Sequence, residues 1–140
     1  MILLDTNVIS EMMLPRPSRE VVLWLDRQPR SSVWTTTVNV FEVWSGLLAM
    51  PKGKRQSDLK ERFERILTVA IQGRLVAFDG AAAEAAAELY ARGVRMGRPR
   101  ENRDAMIAGI VLANHATLAT RNVKHFEDIA KSVVNPWDQA

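Results

Sequence analysis

Short apolar runs alternate along the chain with longer amphipathic stretches. Ile2, Leu3 and Leu4 form an unbroken apolar run that Asp5-Thr6-Asn7 closes, the pattern of a strand buried on both faces of a parallel sheet. Asp5 then stands at the carboxyl end of that strand, with Thr6 or Asn7 placed to cap a short helix over about 7–13. Pro15-Arg16-Pro17 ends that helix, and a second one starts at Ser18, buries Val21, Val22 and Leu25, and stops before Pro29. Residues 32–36 (SVWTT) are β-branched and aromatic enough for a strand. The next helix, over about 38–50, carries Val40, Trp44, Leu47 and Leu48 on one face. After a turn at Pro51-Lys52-Gly53-Lys54, Ser57 opens another helix with the stripe Leu59, Phe63, Ile66, Leu67 and Ala70, and Gly73 closes it.

The second half repeats the alternation. Residues 74–78 (RLVAF) form a third strand ending at Asp79, and the alanine-rich segment 80–95 is a strong helix former, broken by Gly97 and Pro99. A helix over about 103–114, a fourth strand at 117–120 (TLAT), a short helical segment near 126–130 and a fifth strand at 132–134 follow. Asn135-Pro136-Trp137 ends the pattern, and no repeat, linker or boundary interrupts it. The expected fold is therefore a single α/β domain over 1–140, a five-stranded parallel sheet flanked by helices on both faces. Right-handed crossovers bring all carboxyl strand ends to one edge, where open α/β sheets bind ligands.

Composition narrows the chemistry. The chain has no cysteine, which excludes disulfides, thiolate zinc sites and cysteine nucleophiles and fits a cytoplasmic protein. No basic region precedes the first apolar residues, so a signal peptide is not expected. The longest apolar stretch, 105–113, falls far short of the roughly 20 residues that cross a bilayer, so no membrane association is expected. A net charge of +3 permits an anionic partner without requiring one.

Acids at the strand ends are the candidates for a single site. Besides Asp5, Glu42 lies in the helix after the second strand, Asp104 opens the helix before the fourth strand, and Thr120-Arg121-Asn122 follows that strand. Each has a plain structural role as well. Asp5 suits a turn or cap, Asn39-x-x-Glu42 reads as a capping box, Asp104 complements a helix dipole, and Asn122 suits a turn. Together they read differently. Two carboxylates about 5 Å apart repel by about 3 kcal/mol at an effective dielectric of about 20. Three in one cleft would protonate, recruit arginines or hold a cation. Oxygen ligands without histidine or cysteine suit Mg²⁺ or Mn²⁺, ions able to orient a phosphodiester and help deprotonate an attacking water.

MILLDTNVISE at the start, Glu42, DAMIAG from Asp104 and LATRNVKHFE from Leu118, with the terminal VVNPW, occur in the order seen in PIN domains. The chain most resembles the PIN-domain toxins of type II bacterial toxin–antitoxin operons, the VapC and FitB type, over essentially its whole length. The resemblance implies a five-stranded parallel sheet, Mg²⁺- or Mn²⁺-dependent endoribonuclease activity, a homodimer and a small antitoxin partner, with DNA reached only through the antitoxin. Carried over by position, Asp5, Glu42 and Asp104 match the family's acidic metal site. At the fourth acidic position many relatives have Asp, whereas this chain has Asn122, a neutral oxygen donor that weakens the case for a second ion. Asp5 and Asp104 are then expected as principal ligands, with Glu42 acting through water or as the base. Thr6 and Thr120 are expected to orient the carboxylates, and Glu11 is read as a solvated helix position.

Basic residues flank the expected cleft. Arg92, Arg95, Arg98, Arg100 and Arg103 lead into Asp104, and Arg121 and Lys124 lie on the other side. Arg98, Arg100, Arg121 and Lys124 are the candidates for holding an RNA backbone, the alternative being a solvated loop. Trp24, Trp34 and Trp44 are read as packing residues and Trp137 as a seal on the sheet, while His115 and His125 have no partner at metal spacing and are read as incidental. Haloacid-dehalogenase-like phosphatases need a second acid where this chain has Asn7, and receiver domains need a lysine after a later strand where it has Arg121. The serious rival is non-catalytic: a partner of a DNA-binding antitoxin in an autorepressor complex.

Overall fold

Five strands, β1 (Ile2–Leu4), β2 (Val33–Thr36), β3 (Leu75–Val76), β4 (Thr117–Ala119) and β5 (Val133–Val134), build one all-parallel sheet in the computed structural model, which describes residues 1–139. Their order is β3-β2-β1-β4-β5. The chain lays down β1, β2 and β3 outward in one direction, then returns to place β4 against the other side of β1. The crevice between β1 and β4 is thus a topological switch point, the position at which open parallel sheets offer a binding cleft.

Helices cover both faces, as the alternation predicted. Successive strand side chains point to opposite sides. Leu3 and Leu118 accordingly join one buried cluster, with Leu89, Ile107, Ile110 and Phe126, while Leu4 and Ala119 join the other, with Val8, Ile9, Val21 and Phe63. The first cluster lies under α5 (Gly80–Arg95) and α6 (Asn102–Ala113), and the second under α1 (Thr6–Met12), α2 (Arg19–Asp26), α3 (Thr37–Ala49) and α4 (Lys54–Arg65). The alanines of α5 have a packing reason. A Cβ at Gly109 of α6 would lie 2.4 Å from the Ala82 carbonyl oxygen and 2.7 Å from the Ala86 Cβ. The two helix backbones touch there, and only small residues fit.

Several expected boundaries move. The third strand is Leu75–Val76 rather than 74–78: Arg74 still gives its backbone carbonyl to the Thr35 N–H at 3.2 Å, while beyond Val76 the Asp79 N–H turns back to the Ala77 carbonyl at 3.0 Å and Asp79 caps α5. The helix expected from Ser57 begins at Lys54 and ends in a wider turn, Ile66–Ala70. Val22 and Leu48, expected in the core, are exposed; Val21 with Trp24, and Val43 with Leu47, take the inward face instead. Residues 123–132 form a kinked 3-10 segment, Val123–Ser132, longer than the expected 126–130.

Candidate active site

Asp5 stands one residue past β1, and its backbone N–H still bonds the Ala119 carbonyl at 2.9 Å, so the sheet fixes its position. Its side chain is buried and accepts on both oxygens. Oδ1 receives the Thr6 N–H (2.8 Å) and Asn39 Nδ2 (2.9 Å); Oδ2 receives the Thr120 hydroxyl (2.7 Å) and, at 3.4 Å, Asn7 Nδ2. Asp5 is therefore itself the N-cap residue of α1, the role expected of Thr6 or Asn7. Thr120, fully buried, donates to Asp5 and accepts from Asn7 Nδ2 and the Asn122 N–H. Asn7 Oδ1 in turn accepts the Arg121 N–H, which ties the turn after β4 to α1.

The capping box read at Asn39-x-x-Glu42 is not formed. Thr36 is the N-cap of α3, accepting the Asn39 N–H at 3.1 Å, which frees Glu42 to reach across to α1. Glu42 Oε1 accepts the Thr6 hydroxyl at 2.6 Å and lies 3.4 Å from Arg103 Nε. Both contacts fall on one oxygen.

Asp104, in the first turn of α6, completes the cleft. One cavity of about 470 Å³ is lined by Asp5, Thr6, Asn7, Glu42, Asp104 and Asn122, together with Glu11, Arg103, Arg121 and His125. Burial raises the Asp104 carboxyl above its ordinary range; the His125 ring opposes this, the charges of Glu101 and Asp5 add to it, and Arg103 opposes it. The His125 Nδ1 is 3.3 Å from Asp104 Oδ2, so His125, read as incidental, faces the cleft. Glu11 also departs from its solvated reading: it lines the cleft and accepts the Ser18 N–H at 3.1 Å, joining α1 to the start of α2.

The basic candidates divide. Arg121 lines the cleft with its guanidinium 4.8 Å from the centre of the Trp137 ring. Arg98 and Lys124 border a second groove, with Arg92 and His125, that meets the first at Glu101, Asp104 and His125. Arg100 borders this groove as well, but its guanidinium is committed inward. It pairs with Asp128, with Nε 3.0 Å from Oδ2, sits over Phe126, and is only 10% exposed.

Among the described residues, no three His, Asp or Glu groups stand close enough to form a cation cage unaided. The donor set nevertheless fits a hard cation. Asp5 and Asp104 share one cleft, no lysine or arginine among the described residues is bonded to Asp5, and Mg²⁺ keeps several waters where few carboxylates bind it.

A PIN-domain family model matches residues 2–132. The chain belongs to the PIN-domain family. This PIN domain is 42% identical to the plasmid stability protein StbB of Pseudomonas syringae pv. tomato over 99% of both chains, and 36% identical to VapC ribonuclease Y4jK of Sinorhizobium fredii over the whole of both. Among solved structures, FitAB bound to an IR36 DNA fragment contains a chain that superimposes with a TM-score of 0.88 at 34% identity, over 100% of this PIN domain and 98% of that chain. Within the family it is a VapC/FitB-like protein.

Besides Glu11, the sequence pattern did not mark three residues of this PIN domain's site. Asn39 and Asn7 looked like caps, and neither carries a charge to draw notice. His125 is 21 residues beyond Asp104, and only the fold of the Val123–Ser132 segment brings them together. The signal available for Asn39 was an amide at a position where α3 otherwise buries Val38, Val43 and Leu47.

Proposed function

We propose that this PIN domain is a divalent-metal-dependent endoribonuclease and the toxin half of a toxin–antitoxin pair. The observation that carries the proposal is the convergence of Asp5 and Asp104, with Glu42 beside them, in one cleft at the carboxyl edge of the sheet. Asp5 and Asp104 would be the principal ligands of Mg²⁺ or Mn²⁺, with Asn122 as a neutral oxygen donor beside them. Such an ion supplies Lewis-acid polarisation of a phosphodiester oxygen. Thr6 and Thr120 orient the carboxylates by donating their hydroxyl hydrogens. Glu42 keeps Oε2 free of the contacts made by Oε1 and on this reading acts through water or as the base that accepts the proton of an attacking water. Arg121 on one side, and Arg98 and Lys124 on the other, hold the RNA backbone, while Arg100 supports the groove from beneath.

On this reading the partners are an RNA substrate, a small antitoxin, DNA engaged through that antitoxin, and a second copy of the chain, in the cytoplasm; the name of the VapC ribonuclease relative supports the RNA substrate, and the FitAB complex on DNA supports the antitoxin and the DNA. No helix of the described residues is long and apolar enough to cross a membrane. A second reading is a regulatory one, in which the chain serves a DNA-binding antitoxin without cutting RNA; the FitAB complex on DNA, at 34% identity, favours it. Titration calorimetry with Mn²⁺ and a cleavage assay on partner-free protein, each run beside Asp5→Ala, decide between them. Mn²⁺-dependent cleavage that Asp5→Ala abolishes establishes the nuclease. Absence of both Mn²⁺ binding and cleavage leaves the regulatory role.

A further inference from the structure

Asn39 is fully buried and does not line the cleft, yet it touches the side chains on which both acids of the Asp5 side depend. Its Nδ2 donates to Asp5 Oδ1 at 2.9 Å and to the Thr6 hydroxyl oxygen at 3.1 Å. Its Oδ1 accepts the Thr36 hydroxyl at 2.6 Å. Only one amide orientation satisfies this, since turning it over would set Oδ1 against the Asp5 carboxylate. The Thr6 oxygen receives a hydrogen from Asn39 and therefore directs its own to Glu42 Oε1, 2.6 Å away. A single chain of donors thus runs from Thr36 through Asn39 to Asp5, and through Thr6 to Glu42. Its two ends are carboxylates, Asp5 and Glu42.

Helix formation does not need this amide. Thr36 already caps α3 through the Asn39 backbone N–H, and a buried amide is costly to desolvate unless it is bonded. An apolar side chain would serve the packing of α3 equally well. We propose that Asn39 is a positioning residue: it sets the rotation of the Asp5 carboxylate and, through Thr6, the place of Glu42, so that the two acids present their oxygens to the cleft as one unit. This role rests on the cation-binding reading above and concerns the order of the site before substrate arrives.

Mn²⁺ binding by the full chain, read by calorimetry and by the spin-resonance spectrum of the bound ion, tests the proposal without recourse to activity. Asn39→Leu should fold, as judged by a cooperative thermal transition, and bind Mn²⁺ about 10–100-fold more weakly, the usual cost of removing a group that orients a ligand. Thr6→Val should weaken binding in the same direction, and Thr6→Ser, which keeps the hydroxyl, should restore it. Asn39→Leu that folds and binds like the wild type overturns the positioning role. Should Asn39→Leu fail to fold, the Thr6 pair decides: equal binding by Thr6→Val and Thr6→Ser overturns it. Asp5→Asn separates the two levels of the argument. A wild type that binds no Mn²⁺ ends the cation-binding reading and this role with it, whereas binding lost in Asp5→Asn but kept in Asn39→Leu ends this role alone.

Discussion

Asp5 accepts hydrogen bonds from Thr6, Asn7, Asn39 and Thr120, whereas Asp104 across the cleft has one close partner among the described residues, the half-exposed ring of His125 at 3.3 Å. The difference follows from where each acid sits. Asp5 extends a central strand, and donors from α1, from α3 and from the end of β4 surround it. Asp104 opens a helix on the rim, where burial, Glu101 and Asp5 all disfavour its charge. One side of the cleft is built around an anion in advance; the other holds its anion at a cost that a bound cation would relieve.

Removing either acid should be the largest effect on function. Asp5→Asn and Asp104→Asn are each expected to lower metal-dependent RNA cleavage by on the order of 10³-fold, the scale on which one electrostatic group in an active site acts. Stability should separate them. Asp5→Asn sets an amide nitrogen against surrounding donors and should cost about 1–3 kcal/mol in urea unfolding. Asp104→Asn should cost nothing at neutral pH. Equal destabilisation by the two would break the contrast between the sides.

Thr120→Val sharpens the built side. The substitution keeps the shape and deletes a buried hydroxyl that donates to Asp5 and accepts from Asn7 and Asn122. The expected loss is about 1.5–3 kcal/mol, the range for hydrogen bonds to charged groups. Cleavage should fall about 10–100-fold, as for other groups that orient metal ligands.

The basic groups give a subtler contrast. Arg98→Ala with Lys124→Ala should flatten the salt dependence of RNA binding, by about 0.7 in logarithmic slope for each single-strand phosphate that the variant no longer neutralises. Arg100→Ala should instead lower the melting temperature, because it strips Asp128 of its partner and uncovers Phe126. A change in salt slope from Arg100→Ala, without loss of stability, would place that guanidinium on the RNA.

The sheet, its helical faces and its carboxyl edge were legible because apolar runs and amphipathic stretches have distinct periods, and the crossover rule does the rest. Asp5 was a candidate from its strand end, whereas Glu42 in the helix after β2 and Asp104 in the helix before β4 were set beside it by the parallel order of the sheet and by the PIN-domain resemblance. What stayed hidden depended on side-chain partners that sequence spacing does not specify. Asn39-x-x-Glu42 fits a capping box by spacing, but Thr36 takes the cap and releases both residues to the site. Arg100 looks like its basic neighbours in sequence, and only the position of Asp128, 28 residues later, turns it inward. Val22 and Leu48 show the complementary limit: hydrophobicity marks candidates for the core, but the helix phase, set by Trp24 and by Leu47, decides which ones face it.

The smallest effect concerns the loosely held acid and its pH dependence. The folded protein keeps the Asp104 proton to a higher pH than the unfolded chain, whose carboxyl titrates near 3.8. Over the interval above that value the folded state binds more protons, so stability falls as pH rises through it and levels off beyond the folded-state titration. Asp104→Asn has no such proton to lose. Its melting temperature should match the wild type below the interval and exceed it at neutral pH, in metal-free buffer. His125 works against the shift, so His125→Ala should widen the gap between wild type and Asp104→Asn slightly. Added Mn²⁺ should close the gap by stabilising only the chain that retains the carboxylate. A gap that Mn²⁺ leaves unchanged would mean that Asp104 carries its burial cost for some purpose other than a cation.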